Sequence, residues 1–341
     1  MKWLPILAMT LPLLSHSSVQ AKVHGCNIQD DQQLWSFYKT QFVLPEGRVV
    51  DNGNDSISHS ESQGYGMLMA AYFSDHATFK SLWHWTKQTL QRREDGLFSW
   101  KWQPQPPHIP DPNNASDGDI FIAWALLKAD KLWPEQQYGK EAKKIIDALS
   151  DSHIIQLDGE YALLPAQYGF DKSYSTVINP SYWVYPAFND FARFDDSWKQ
   201  LSQGGINILN KNQFGSFKLP SDWLEYRNDT WQPAQQFPAQ FSYASYRIPL
   251  YLIWGGYNSV INDHYQSWIS EYNRAWVNIS NNQMANYAAP RGANAVATLV
   301  QLSQEKYKHR SALPHPTKAD DYYSASLIIF SHIAFHERYC Q

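Results

Sequence analysis

Residues 58–67 read SHSESQGYGM and set one carboxylate, Glu61, among hydroxyls, an imidazole, an amide and two glycines. The apolar run Met67–Phe73 follows at once. A carboxylate in that company is either a solvated turn residue or an acid whose proton matters, held at the mouth of a helix. A second acidic stretch, NNASDGDIFIAWALLKADKLW, spans residues 113–133. Ser116 and Asp119 have capping-box spacing ahead of the apolar face Ile120, Ala123, Trp124 and Leu127. Asp117 and Asp119 then fall in the first helical turn, where free N–H groups and the macrodipole favour negative charge. Taken alone, that is a structural use: acids that stabilise a helix start.

Other chemistries lack their residues. There is no H-E-x-x-H and no Cys/His ligand cluster, so the pattern argues against zinc. A G-x-S-x-G elbow, a Walker A loop and a dinucleotide fingerprint are equally missing. His59, His84 and His332 read as polar surface or loop residues rather than ligands. The formal net charge of −4, without a long basic run, argues against nucleic acid and acidic membranes as partners. Aromatic content is high, with 15 Trp, 21 Tyr and 16 Phe. Those rings fit either a large core or a groove that stacks on a flat, neutral, hydroxyl-rich ligand such as a glucan, and composition does not separate the two.

The elements that position these residues read as helices. Phe79, Leu82, Trp83 and Leu90 share one helical face, as do Tyr138, Ala142, Ile145 and Leu149. Trp198, Leu201 and Leu209 mark another, and so do Ala295, Thr298, Leu299 and Leu302. About eleven such stretches run from Asp31 to Arg338, separated by Pro-, Gly- and Asn-rich loops. Strand-like alternation is confined to short pieces such as YALLPAQYGF and FGSFKLP. The expectation is an all-α chain, a closed toroid of helical hairpins with a cleft formed by loops at one end.

The N-terminus has a basic start (Lys2), an apolar run Trp3–Leu14 and a small-x-small ending at Ala21, the order of a secretory signal peptide. Residues 1–21 are therefore expected to be a leader and 22–341 a single domain. Export to the periplasm or outside the cell is expected, without stable membrane insertion. The two cysteines, Cys26 and Cys340, flank the mature chain. In an exported protein they suggest a disulfide, although two unpaired buried thiols remain the other reading. On the chain-entropy model such a bridge contributes about 4–5 kcal/mol.

Several motifs carry a resemblance. ASDGDIFIAWALLKADKLW (115–133) is similar, position for position, to the signature of glycoside hydrolase family 8. SHSESQGYGM resembles that family's SHSEGQGYGM block, with Ser62 where Gly is usual. GRVVDNGN (47–54), NPSYWV (179–184), LPSDWL (219–224), FSY…R.PLY (241–251) and DYYSASL (321–327) look like further blocks, in order along nearly the whole mature chain. The nearest likeness is to endoglucanases encoded with bacterial cellulose synthases.

This resemblance implies an (α/α)6 barrel with an open cleft, inverting hydrolysis of β-1,4-glucans, no metal or organic cofactor, a functional link to a cellulose synthase complex and a monomer. Inversion needs an acid that protonates the glycosidic oxygen and a base that activates water, roughly 6.5–9.5 Å apart. By motif, Glu61 matches the proton donor. Its expected neighbours, Tyr65 and Met67, form an apolar setting that favours a protonated carboxyl. Asp117 matches the first Asp of the signature, described in the family as nucleophile or as the residue that holds the sugar and water at the cleavage subsite, and inversion favours the second. Tyr182 and Arg247 match residues around the reacting sugar, and Asp119 reads as the helix-start acid. Trp100, Trp102, Trp183 and Trp223 lie in loops or at helix starts beside the motifs and are candidates for sugar stacking, with packing the alternative for each.

One position departs from the pattern. Members of the family usually read FSYDAIR, whose Asp is the general base, and this chain reads FSYASYR with Ala244 in its place. Either Asp117 takes over, or another acid such as Asp222 reaches the cleft, or the protein binds glucan as an accessory and cleaves it poorly.

Overall fold

The computed structural model describes residue 26 and residues 28–305 and 308–340; the leader read in residues 1–21 lies outside the described residues. Eleven α-helices are present among them: α1 (Ile28–Phe42), α2 (Ser60–Tyr72), α3 (His76–Leu90), α4 (Ser116–Leu132), α5 (Tyr138–His153), α6 (Tyr185–Phe191), α7 (Ser197–Lys211), α8 (Arg247–Gly255), α9 (Val260–Tyr272), α10 (Arg291–Gln304) and α11 (Tyr322–Tyr339). Burial sorts them into two sets. In α2, α4, α6, α8 and α11 nearly every side of the helix is buried. In α3, α5, α7 and α9 one stripe is buried, and on α3, α5 and α7 it includes the apolar residues picked out by their spacing, while α10 falls between the sets, with no exposed residue from Gly292 to Val300. A helix apolar all round needs neighbours on every side, whereas an amphipathic helix covers from outside. The result is the (α/α)6 arrangement, inner helices wrapped by outer ones.

Aromatic rings join the inner helices. Tyr65 of α2 meets Phe121 of α4 at 4.6 Å and Phe330 of α11 at 4.7 Å, both edge-on, and Trp124 of α4 tilts against Trp254 of α8 at 5.0 Å. The contact between α2 and α4 needs glycine. A Cβ on Gly64 would come 2.5 Å from Cβ of Phe121, and one on Gly118 would come 2.0 Å from the Ser60 hydroxyl and 2.7 Å from the Glu61 nitrogen. Gly118, between the two acids of the signature, thus lets the start of α4 lie against the start of α2.

Short antiparallel strands lie in the segments that connect the helices. β1 (Ser58–His59) pairs with β2 (Lys101–Trp102) in the register Ser58↔Trp102. β3 (Ile154–Leu157) and β4 (Glu160–Leu163) form a hairpin, of which only the end of β4 falls in YALLPAQYGF (161–170); the rest of that stretch, expected to be extended, is loop. β5 (Asp171–Lys172), β6 (Ser175–Ile178), β7 (Leu224–Arg227) and β8 (Thr230–Pro233) form one sheet in that order. β9 (Gln240–Phe241) pairs with β10 (Val277–Asn278). A disulfide joins Cys26 to Cys340, just past the end of α11, with Cα atoms 5.8 Å apart.

Two expectations need correction. The start of α4 is not a capping box: its N-cap is Ala115, which makes no side-chain cap, and the Ser116 hydroxyl donates instead to the Leu164 carbonyl at 2.9 Å. Asp119 turns away to accept from the Phe98 N–H at 2.9 Å and Asn114 Nδ2 at 2.8 Å. Tertiary partners that pass the helix end have displaced the local cap. His332 is likewise not a surface residue. It is 2% exposed on α11, between the Arg310 guanidinium and the Pro314 carbonyl.

Candidate active site

The inner helices bring their N-terminal ends to a common cavity of about 260 Å³. Ser60 and Glu61 come from α2, Asp117 from α4, Arg247 from α8 and Tyr323 from α11, with Tyr182 from the turn before α6. Helix N-termini carry unsatisfied N–H groups and the positive end of the dipole, so carboxylates are favoured there.

Arg247 organises the floor. It is 4% exposed, and its Nη1 donates to Asp117 Oδ2 at 2.9 Å and, at shorter range, to Glu61 Oε2. Nη2 donates to the Ser181 hydroxyl at 2.9 Å and Nε to the Ala244 carbonyl at 3.2 Å. The planar fork of a guanidinium suits such multiple recognition, which an ammonium cannot reproduce. The Tyr182 ring lies 5.6 Å from the Arg247 carbon. Asp117 also accepts from its neighbour's Gly118 N–H at 2.8 Å. Burial pushes the Asp117 carboxyl up to about 7; the Arg247 guanidinium opposes the shift and the Glu61 carboxylate adds to it.

The apolar setting expected for Glu61 is not what meets its carboxylate. Tyr65 and Met67 are fully buried, and the Tyr65 hydroxyl is spent on that of Tyr251 at 2.8 Å. The group on Glu61 is Arg247. Since both carboxylates share one nitrogen, with neither contact longer than 2.9 Å, their oxygens lie closer than the roughly 6.5 Å minimum for an acid and base on opposite faces of a sugar.

Asp119 stays out of the cavity. Burial lifts its carboxyl to about 8 against hydrogen bonds from Asn114 and the Phe98 N–H. Asn114 also donates to Nε2 of His153, whose ring burial holds down to about 4, and Nδ1 faces the Ser152 hydroxyl at 2.7 Å. The chain is a satisfied support behind α4. Asp222, the reserve candidate for the base, is also not among the cavity-lining residues. Its carboxylate accepts from the Ser242 N–H at 2.9 Å, the Ser245 hydroxyl at 2.5 Å and the Ser242 hydroxyl, so it pins the turn that carries Ala244 and Arg247. Burial raises its pKa despite those donors.

The tryptophan candidates separate. Trp100 lines the cavity, its indole N–H tied to Asp111 at 2.9 Å. Trp102 is stacked on His108 at 5.5 Å, edge-on to Trp85 and under the Arg48 guanidinium at 4.7 Å, which commits it to packing. Trp183 is fully buried, so no sugar can stack on it. Trp223 lies parallel to Phe237 at 4.2 Å and to Phe170 at 5.5 Å, with its edge toward Tyr182. It backs Tyr182 rather than facing a ligand. A ring beside a motif is a groove candidate by its place in the sequence, but which way it faces is a tertiary outcome.

Residues without an expected role complete the wall. Asn54, His59, Tyr243 and Tyr323 line the same cavity, and the Tyr323 hydroxyl donates to the Tyr243 carbonyl. Tyr323 shares its motif with Tyr322, and nothing in the spacing distinguishes it from that buried neighbour. His59 is no bystander. It is the N-cap of α2, and a capping box links it to Ser62.

An open cavity at the helix mouths of an (α/α)6 toroid, with paired carboxylates and aromatic walls, defines a polysaccharide-processing class of site. The comparisons make this specific. The model of the glycosyl hydrolases family 8 matches residues 3–336. A probable endoglucanase of Novacetimonas hansenii is 37% identical over 315 residues, 89% of this chain and 90% of that protein. An endoglucanase of Cellulomonas uda is 38% identical over 227 residues, 65% of this chain, and the match spans 63% of that protein's length. A family 8 endo-β-1,4-glucanase structure from an Achatina fulica gut metagenomic library superimposes with a TM-score of 0.83 at 38% identity, covering 89% of this chain and 98% of the other. The chain belongs to glycosyl hydrolases family 8 and is a glycoside hydrolase.

Proposed function

We propose that this glycoside hydrolase is an exported endo-β-1,4-glucanase that cleaves cellulose-type chains with inversion, with residues 22–341 as its one catalytic domain. The observation that carries the reading is the Glu61–Arg247–Asp117 contact at the bottom of an open, aromatic-walled cavity. Glu61 is the general acid. In the resting site it touches a guanidinium, and a sugar entering over Tyr182 and Trp100 shares Arg247 with it and brings the glycosidic oxygen within reach of Glu61. Asp117 holds the sugar and the attacking water. The wall at Ala244, where the resemblance places the base, has no carboxylate, and Glu61 and Asp117 are the acids among the described lining residues. Water activation is therefore the weak step: Asp117 lies too close to Glu61 to reach the far face of the sugar directly, and it acts on the attacking water through a second, intervening one. Glucan binding without cleavage is not favoured, because Glu61, Asp117 and Arg247 are all present and in contact.

Export rests on the leader pattern and on the cysteine pair, since a disulfide suits an oxidising compartment. Among the described residues no helix is long and apolar enough to cross a membrane. The link to cellulose synthesis rests on the motif likeness. Reducing-end release from carboxymethylcellulose tests the activity. Glu61→Gln keeps the shape and removes the acidic proton, so turnover falls by ~10²–10⁴-fold while oligosaccharide binding persists. Retention of most of the turnover removes Glu61 from the mechanism, and binding without any release by the parent replaces the hydrolase by the accessory role.

A further inference from the structure

His59 occupies an unusual place for an imidazole. Its Nδ1 accepts the Ser62 N–H at 3.0 Å, capping α2, while the His59 backbone N–H donates to the Ser62 hydroxyl at 3.0 Å. That hydroxyl donates in turn to the His59 carbonyl at 2.8 Å. The other ring nitrogen, Nε2, faces Asp51 Oδ2 at 3.3 Å. Asp51 is itself held by its own turn, where Oδ1 accepts the Gly53 N–H at 3.1 Å. The Tyr322 ring closes one side of the imidazole, edge-on at 5.5 Å. Glu61 stands between the two partners of the box, second residue of the helix they cap.

We propose that Asp51 and His59 are positioning residues for Glu61: Asp51 draws the imidazole proton onto Nε2, which leaves the Nδ1 lone pair free to cap α2 and fix the first turn from which Glu61 is presented. The inference rests on the reading of Glu61 as the acid. Its logic is one of tautomers. A neutral imidazole has one donor and one acceptor nitrogen, and the partner of one decides the role of the other. An acceptor at Nδ1 faces an N–H and satisfies it. A proton there would face another donor, and the helix would lose its side-chain cap. Ser60, also in the first turn, is held from the other side, its N–H donating to the Trp100 carbonyl at 2.9 Å. The start of α2 is thus tied at two points around the acid, and the imidazole is the one that depends on a proton's location.

The test has a spectroscopic and a kinetic arm. In the intact protein at mildly alkaline pH, imidazole ¹⁵N shifts of His59 should show the neutral ring with its proton on Nε2. Asp51→Ala should let the second tautomer appear. His59→Ala should lower kcat by ~10–10²-fold with KM nearly unchanged, the loss expected when a catalytic group is misplaced by a fraction of an ångström to an ångström. His59→Asn, which supplies a strong N-cap oxygen without a titrating ring, should recover most of that kcat. A neutral ring protonated on Nδ1, an undiminished kcat in His59→Ala, or an Asn variant as slow as the Ala variant each overturns the proposal. A loss confined to KM also overturns it, assigning His59 to substrate contact. Failure of the underlying reading shows itself separately, as turnover in Glu61→Gln.

Discussion

Replacing Arg247 by methionine removes the one cation that holds two carboxylates. The side chains of Arg247, Glu61 and Asp117 are 5%, 15% and 3% exposed, so solvent does little to replace the lost charge. Breaking a buried pair by deleting one partner costs about 3–5 kcal/mol, because the remaining charges stay desolvated. Here two like charges remain side by side, and binding a proton is their only relief. Asp117 already has a folded pKa near 7 against an ordinary 3.8, with Arg247 as the main influence holding it down. Without the guanidinium that folded value rises further. A carboxyl whose folded pKa lies above its unfolded one loses stability as pH rises between the two. The parent already loses that stability between about pH 3.8 and 7, so the extra deficit that Asp117 brings to Arg247→Met opens only as pH rises past about 7 and is complete above the variant's higher folded pKa. Urea unfolding at acid and at mildly alkaline pH measures it, and Asp117→Asn added to the same background should recover part of the alkaline loss. A variant as stable as the parent above neutrality, or one equally weakened at every pH, refutes the reasoning.

Ala244→Asp should raise turnover on carboxymethylcellulose by ~10²-fold if water activation limits the rate, and Asp117→Asn should be as damaging as Glu61→Gln; if Ala244→Asp is inert and Asp117→Asn is tolerated, the base lies elsewhere. Trp183→Ala should destabilise the fold by about 3–5 kcal/mol, as for a fully buried ring, whereas Trp100→Ala should raise KM for cello-oligosaccharides with little change in unfolding midpoint; equal stability losses would put both rings in the core. Reducing Cys26–Cys340 should cost about 5 kcal/mol, since the bridge closes a loop with a sequence separation of 314, seen as a lower unfolding midpoint under reductant; an unchanged midpoint removes the bridge from the stability account.

The helical framework was legible because a 3.6-residue period is a local property. The stripe Tyr138, Ala142, Ile145, Leu149 is buried on α5 as its spacing requires, and the stripe on α3 likewise. The places of Glu61 and Asp117, each in the first turn of a helix, were legible for the same reason. The sheet was less so. β7 and β8 are four residues each and join through Asn228–Asp229, both with left-handed backbone (φ 50° and 56°). Such a two-residue turn is a hairpin signal, but with strands of four residues and aromatic side chains on both sides it has no clear alternation beside it.

What the chain alone determined is therefore which segments coil, which face of each is apolar and which acids stand at helix starts. The tertiary structure decided everything that depends on separation. Arg247 lies 186 residues from Glu61 and 130 from Asp117, and no local pattern tells that one guanidinium serves both. It also decided that Trp183 is buried while Trp100 faces the cavity, and that Asp222 braces the Ala244 turn from behind rather than entering the cleft. The physical reason is that spacing along a helix or strand sets the direction of a side chain relative to its own element, whereas what it meets there is set by how the elements pack. In this protein Gly118 and Gly64, by admitting α2 and α4 to close contact, are where the local code determines the global one.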